Sequence, residues 1–93
     1  MARPIYFANK FRHTWKHLDS TQKERIVDII IALPDILKNS HLHSGFGVRK
    51  IQGSGLMEAR IDLRWRLVMQ SGSNEIVIYD VMNHDQIRRI NRK

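Results

Sequence analysis

The segment of residues 56–70, LMEARIDLRWRLVMQ, places charged side chains among apolar ones. If it forms β-strands, alternation puts the apolar side chains on one face and Glu58, Arg60 and Arg66 on the other. In such a cluster the carboxylate could accept a proton and the guanidinium groups could bind a phosphate. Phosphodiester cleavage requires both. The alternative is a solvated face on which Glu58 neutralises its neighbours, since exposed ion pairs are common and contribute little.

Strand pairing sharpens this choice. When Ile61 pairs with Trp65, the apolar sets of the two strands meet, and a three-residue loop remains between them. A register shifted by one residue would turn the tryptophan toward the charged face. In the favoured register Arg60 lies opposite Arg66, where two positive charges repel unless an anion binds between them. The pairing therefore indicates either an anion site or a solvated face on which Glu58 neutralises the two arginines.

A second hairpin extends the same face. Pairing Gln70 with Glu75 across a four-residue turn would place Tyr79 opposite Arg66, and Lys50 could join from the preceding strand. The predicted polar face thus gathers two arginines, a glutamate, a tyrosine and a lysine.

Two amphipathic helices precede these strands. Residues 9–18 carry apolar side chains at helical spacing, and a second helix is predicted from Thr21, with Glu24 three residues on as a capping box. Pro34 should end or kink this helix, because proline lacks an N–H and crowds the preceding turn. The two helices form a predicted hairpin.

The rest of the chain is typical of β structure. Residues 4–7, PIYF, are a short β-prone opening, and four β-type runs separated by short turns occupy the second half: GVRKIQG, LMEARI, WRLVMQ and EIVIYDVM. The connections are too short for crossovers, so the strands should pair antiparallel. Residues 83–93 could add a short helix or tail. We expect a single α+β domain, 1–93, with the helical hairpin packed on a four-stranded, mostly antiparallel, twisted sheet.

Composition narrows the class of function. Sixteen Lys and Arg against nine Asp and Glu give a net charge of +7, which favours a polyanionic partner such as nucleic acid, or an acidic protein. The chain has no cysteine, the first residues lack the apolar region of a signal peptide, and no stretch is apolar enough to span a bilayer. His13 and His17 lack the intervening glutamate of a zinc-protease motif. These features predict a cytoplasmic protein without a metal, a cofactor or a membrane partner.

The sequence from GVRKIQG through GLMEARID and WRLVMQ to IVIYDVMNHDQI resembles the RelE/ParE toxin superfamily of type II toxin–antitoxin systems. The likeness covers nearly the whole chain and is strongest between Gly47 and Ile87. It implies an mRNA interferase, which is a metal-independent endoribonuclease that acts on the ribosome and is silenced by an antitoxin in a hetero-oligomer.

The resemblance also implies site residues. Arg66 matches the arginine at the scissile phosphate, Glu58 or Lys50 matches the base, and Arg60 matches a further basic position. His84 in Asn83-His84-Asp85 matches the histidine-bearing form of the late motif, as a proton donor. One departure is Arg88, which stands where many relatives have a tyrosine.

The basic residues near these positions complete the predicted site. The expected RNA-binding residues are Arg49, Lys50, Tyr79, Arg88 and Arg89. Two other functions stay open at this point: a ParE-type inhibitor of DNA gyrase without nuclease activity, and an inactive module that binds only RNA or an antitoxin.

Overall fold

The computed structural model describes residues 3–38 and 45–90. The elements in chain order are β1 (Ile5–Phe7), α1 (Asn9–Trp15), α2 (Ser20–Lys38), β2 (Arg49–Ile51), β3 (Leu56–Arg60), β4 (Trp65–Ser71), β5 (Ile76–Asn83) and α3 (His84–Ile90). This order confirms the predicted α+β class, with a helical hairpin, a β-meander and a short C-terminal helix. Residues 91–93 of the predicted tail lie outside the described part of the chain.

The sheet has five strands where the sequence predicted four. Its order is β1-β5-β4-β3-β2, with β1 parallel to β5 and every other pair antiparallel. The additional strand is the opening segment, in which Ile5 pairs with Ile76 and Phe7 with Ile78. This pairing joins residues about seventy positions apart, so no local pattern could have indicated it.

Helix α2 begins and continues differently from the prediction. Its first turn is capped by Asp19 and Gln22, each of which receives a hydrogen bond from the other's backbone N–H, at 2.7 and 3.1 Å. The predicted Thr21 capping box is therefore wrong by two positions. The helix also continues through Pro34 to Lys38. An internal proline costs about 3 kcal/mol, and burial of the nearby Leu33 and Ile36 side chains offsets this cost.

The main core lies between the helical hairpin and one face of the sheet. Its fully buried members, which come from both layers, include Ile26, Ile29, Leu33, Leu67, Met69 and Ile78. We call the opposite side of the sheet the far face; it carries the predicted charged residues. Helix α3 packs onto the far face through Ile87, which meets Ile51 and Val68 in a second buried cluster. The far face is thus partly covered, and not the open, solvated surface that alternation alone suggested.

One predicted register is confirmed and the other is wrong. Arg60 lies opposite Arg66 across β3 and β4, as expected. In the next hairpin Met69 pairs with Ile78, two positions from the prediction, and a β-bulge follows, so Arg66 lies opposite Met82. A shift of two residues keeps each side chain on its face, which is why hydrophobic alternation could not detect it.

Within the described ranges, no helix is long and apolar enough to cross a bilayer.

Candidate active site

Glu58 is the buried centre of the charged cluster. It lies in the middle of β3, and only 8% of its side chain is exposed. The Nε atoms of Arg49 and Arg66 approach its Oε1 at 3.6 and 3.5 Å, so two guanidinium groups flank one carboxylate oxygen. Removing a carboxylate from water is costly unless it is paired. The two arginines provide that compensation.

Arg66 is held in a single orientation by its surroundings. Its Nη1 donates hydrogen bonds to the backbone carbonyls of Asp62, at 2.7 Å, and Trp65, at 3.2 Å, while Nε faces Glu58. Its side chain is 16% exposed. Nη2 donates no hydrogen bond to the described part of the chain, so one edge of the guanidinium is available to an anion.

The loop between β3 and β4 owes its shape to Asp62. The carboxylate Oδ1 accepts hydrogen bonds from the backbone N–H groups of Arg64, at 2.9 Å, and Trp65, at 2.7 Å. Its Oδ2 accepts one from the side-chain amide of Gln22 in α2, at 3.4 Å. This arrangement is an aspartate-stabilised turn, tied to the helical hairpin.

Asp62 is correspondingly stabilised as a carboxylate. Partial burial raises the pKa of the Asp62 carboxyl, but hydrogen bonds from two backbone N–H groups oppose that effect, as do the Gln22 amide and the charge of Arg66. The net result is a pKa below the usual value.

Arg60 lies next to this cluster, with an exposed side chain and a fixed backbone. Its N–H donates to the Phe46 carbonyl at 2.8 Å, and its own carbonyl accepts from Arg25 Nε at 3.1 Å. Gly47 has a φ of +61°, and a Cβ there would lie 3.3 Å from the Arg60 Cβ. Glycine at position 47 therefore serves both the left-handed backbone and the close approach of Arg60.

His84 is the first residue of α3 and is exposed. The preceding Asn83 caps the helix: its Oδ1 accepts from the Gln86 N–H at 2.9 Å, and its N–H donates to Gln86 Oε1 at 2.8 Å. Because Asn83 also pairs with Trp65, the cap fixes the start of α3 at the end of the sheet that carries Arg66. The Asn83-His84-Asp85 motif is thus a helix start.

Helix α3 also carries the predicted arginines of the C-terminal region. Arg88 and Arg89 are both exposed, and Arg88 Nη1 lies 3.8 Å from Asp85 Oδ1. An exposed pair of this kind contributes little to stability. Both guanidinium groups are therefore accessible at the far face.

The structure brings together some predicted site residues and separates others. Glu58, Arg66 and Arg49 are in contact. Lys50 pairs with Met57, a member of the main core, so the expectation that it joins the far face is wrong. Tyr79 is 39% exposed and falls at the bulge, with no partner in the register, and the expectation that it faces Arg66 is also wrong.

Two contributors were missed by sequence reasoning. Asp62 was treated only as part of a loop, and Gln22 was not considered. The D-x-x-Q spacing from Asp19 to Gln22 is a capping-box pattern that could have identified the second of these. The reach of Gln22 to Asp62 depends on tertiary packing, which no local spacing indicates.

The described residues contain no cluster of three His, Asp or Glu side chains placed to hold a metal ion. The charged groups that meet here are the guanidinium groups of Arg49 and Arg66 around the Glu58 carboxylate, and a guanidinium can bind a phosphate through two parallel hydrogen bonds.

The fold is that of the RelE, YafQ and YoeB toxins, which confirms the resemblance to the RelE/ParE superfamily at the level of the fold. YafQ of the Escherichia coli DinJ–YafQ toxin–antitoxin complex superposes with a TM-score of 0.72 at 16% identity, over 92% of this chain and 97% of that one. YoeB from a Staphylococcus aureus dimer gives 0.72 at 21% identity, over 90% and 99%.

An archaeal structure is similar as well. The RelB–RelE antitoxin–toxin complex of Methanococcus jannaschii gives a TM-score of 0.66 at 20% identity, over 90% of this chain and 95% of that one. No family model and no curated protein matches the sequence. The likeness is therefore one of backbone architecture, preserved at low sequence identity.

Proposed function

We propose that this protein is the toxin of a type II toxin–antitoxin system and that it is an endoribonuclease that cleaves mRNA on the ribosome. One observation carries the proposal: the Arg66 guanidinium is fixed beside the buried Glu58, with its Nη2 edge available to a phosphate. The shared fold with RelE, YafQ and YoeB toxins supports the same assignment.

The proposed reaction uses the RNA's own 2′-OH as the nucleophile. Its oxygen forms a bond to the adjacent phosphorus, the bond from phosphorus to the 5′-oxygen breaks, and a 2′,3′-cyclic phosphate and a 5′-OH result. Glu58 takes the 2′-OH proton, and His84 gives a proton to the departing 5′-oxygen. Arg66 stabilises the negative charge that develops on the phosphoryl oxygens. No step requires a metal ion.

The surrounding cations have supporting roles in this proposal. Arg60 provides a second positive charge directly opposite Arg66, so that a phosphate between them relieves their repulsion. Arg49 contacts the same carboxylate of Glu58 and, with Arg88 and Arg89, extends the positive surface along which RNA would bind. Lys50, on the core side of the sheet, and Tyr79, at the bulge of β5, are both exposed, and we propose them as RNA contacts beyond the cluster.

A partner follows from the same proposal. DinJ–YafQ and RelB–RelE are toxin–antitoxin complexes, and a net charge of +7 suits an acidic partner. We propose that a cognate antitoxin binds this chain in a hetero-oligomer and blocks the site.

The deciding experiment is cleavage of mRNA in programmed ribosomes, with mapping of the new 5′ ends, beside a gyrase supercoiling assay. We expect new 5′-OH ends that form far more slowly with Arg66→Ala, with supercoiling unaffected. Loss of supercoiling without RNA cleavage would favour a gyrase inhibitor. No effect in either assay would favour an inactive binding module.

A further inference from the structure

We propose that Asp62 is a positioning residue: its carboxylate folds the β3–β4 loop so that its own backbone carbonyl aims the Arg66 guanidinium at the substrate. The inference depends on the proposed function, because it assigns a purpose to the orientation of Arg66. It adds a residue that the sequence pattern does not assign.

The hydrogen bonds around Asp62 act on one end of Arg66. The carboxylate receives the N–H groups of Arg64 and Trp65 and so closes the turn. In that closed turn the Asp62 and Trp65 carbonyls both point at Arg66 Nη1, at 2.7 and 3.2 Å. With Nε held by the carboxylate on β3, rotation of the guanidinium would break contacts on two sides.

The turn is anchored to a second layer of the fold. Gln22 uses its Oε1 to receive the Asp19 N–H at the start of α2 and its Nε2 to reach Asp62 Oδ2 at 3.4 Å. The same side chain therefore caps the helix and holds the loop. A chain of contacts runs from the helical hairpin through Asp62 to Arg66.

The chemistry of the carboxylate suggests an informative pair of variants. Asp62→Asn puts an amide nitrogen that cannot accept from Gln22 in place of Oδ2, but it keeps an oxygen for both backbone N–H groups, so the turn and the aim of Arg66 should persist. Asp62→Ala removes both acceptors and releases the loop. A difference between these variants separates positioning from the mere presence of a negative charge.

The test is a double-mutant cycle measured by cleavage of ribosome-bound mRNA. Since misplacement by about 1 Å can cost about 100-fold in rate, we expect Asp62→Ala to lower kcat by about that factor with little change in KM. Asp62→Asn should stay near the parent rate. Asp62→Ala combined with Arg66→Ala should be no slower than Arg66→Ala alone, because the effect of Asp62 passes through Arg66.

A matched control comes from an exposed aspartate in α2. Asp28→Ala should leave the rate unchanged, and circular dichroism should show that every variant is folded. The proposal is overturned if Asp62→Ala cleaves at the parent rate. It is also overturned if Asp62→Asn is as slow as Asp62→Ala, or if the rate reduction of Asp62→Ala multiplies that of Arg66→Ala.

A readout without RNA keeps this inference separate from the proposed function. In ¹⁵N NMR spectra, the guanidinium hydrogens of Arg66 should exchange slowly with solvent in the parent and in Asp62→Asn, and faster in Asp62→Ala. If the parent never cleaves RNA, the proposed function fails while this measurement still decides the positioning. Equal exchange in all three proteins would refute it.

Discussion

Arg66 differs from the exposed cations of the chain because its guanidinium is largely buried and oriented in advance. Two backbone carbonyls and the Glu58 carboxylate fix it, so little reorganisation is needed when negative charge develops on a bound phosphate. Arg60 and Arg49 are more exposed and depend on the substrate or on Glu58 for their orientation. At the scale of single residues, preorganisation identifies Arg66 as the centre of the proposed chemistry.

Replacement of this side chain should therefore strongly lower activity, and the loss of one partner of the buried Glu58 should also lower stability. We expect Arg66→Ala to reduce the single-turnover rate of mRNA cleavage by about 100- to 1,000-fold, the usual cost of losing one preorganised donor. The core residues on the opposite face of β4 should keep the variant folded, as thermal denaturation would show. Arg12→Ala, an exposed arginine in α1, is the matched control; equal rates for the two variants would refute the assignment.

His84 should contribute at the leaving group. Loss of a general acid typically costs about 100- to 10,000-fold, so His84→Ala should slow cleavage within that range. His13→Ala in α1 should cleave like the parent. A substrate with a better leaving group than the 5′-oxygen should restore most of the lost rate in His84→Ala, because it needs no proton. A lack of rescue would argue against the role of His84 as an acid.

At the scale of elements, short connections position the site. The Asp62 turn sets the β3–β4 loop, and the Asn83–Gln86 capping box starts α3 where β5 ends. An N-cap of this kind contributes about 1 kcal/mol, which is large for a seven-residue helix. The Ile87 contact with Val68 then holds α3 against the far face.

The Asp62 turn should make stability depend on pH in a defined direction. The pKa of Asp62 is lower in the folded protein than in the unfolded chain. The ionised carboxylate therefore adds to the free energy of unfolding, and this contribution is fully present above the unfolded pKa near 3.9. That contribution is lost as pH falls through the folded value. In urea unfolding, Asp62→Asn should be less stable than the parent at pH 7, and the difference should shrink toward pH 3. A difference that is independent of pH would contradict this linkage.

At the scale of the whole molecule, the net charge attracts a polyanion and the topology determines where the arginines lie. The net charge of +7 attracts a polyanion to the entire surface, while the sheet order places β3 and β4 beside each other and lets α3 cross the same face. Arg49 and Arg66 thereby meet at Glu58, Arg60 lies opposite Arg66, and α3 carries two further exposed arginines.

RNA binding should weaken as salt rises, because each neutralised phosphate releases counterions. Arg88→Gln combined with Arg89→Gln should reduce the slope of log K against log salt by about 0.7 for each phosphate that the variant no longer neutralises. Filter binding of a single-stranded RNA at several salt concentrations would measure it. Lys10→Gln with Lys16→Gln, an equal charge change at α1, should have a smaller effect. The opposite ranking would move the RNA path to α1.

The proposed antitoxin should bind across the far face. We expect an acidic or amphipathic segment of that partner to cover Arg60 and Arg66 or to displace α3, since Arg49, Arg60, Arg88 and Arg89 are exposed there. Hydrogen–deuterium exchange of the complex would show protection of β3 and β4, or exposure of α3. If neither region changes in a complex that still blocks cleavage, neutralisation occurs elsewhere.

Much of this organisation was determined by the sequence itself. Apolar periodicity predicted the helical hairpin and the meander, and the requirement that Trp65 face the core determined the Arg60–Arg66 pairing. That pairing depends on neighbouring strands joined by a three-residue loop, so local information was sufficient. The likeness to RelE/ParE toxins was also visible in the order of the strand motifs.

The tertiary structure alone decided the rest. A two-residue shift and a bulge moved Tyr79 away from Arg66, and the shift leaves the alternation of faces intact and so leaves no trace in the pattern. Lys50 lies on the core side of the sheet because it pairs with Met57 in the β2–β3 register. The hydrogen bond from the Gln22 amide to the Asp62 carboxylate joins residues forty positions apart. Contacts between residues so far apart in sequence depend on how the helical hairpin packs on the sheet. No single stretch of sequence specifies that packing.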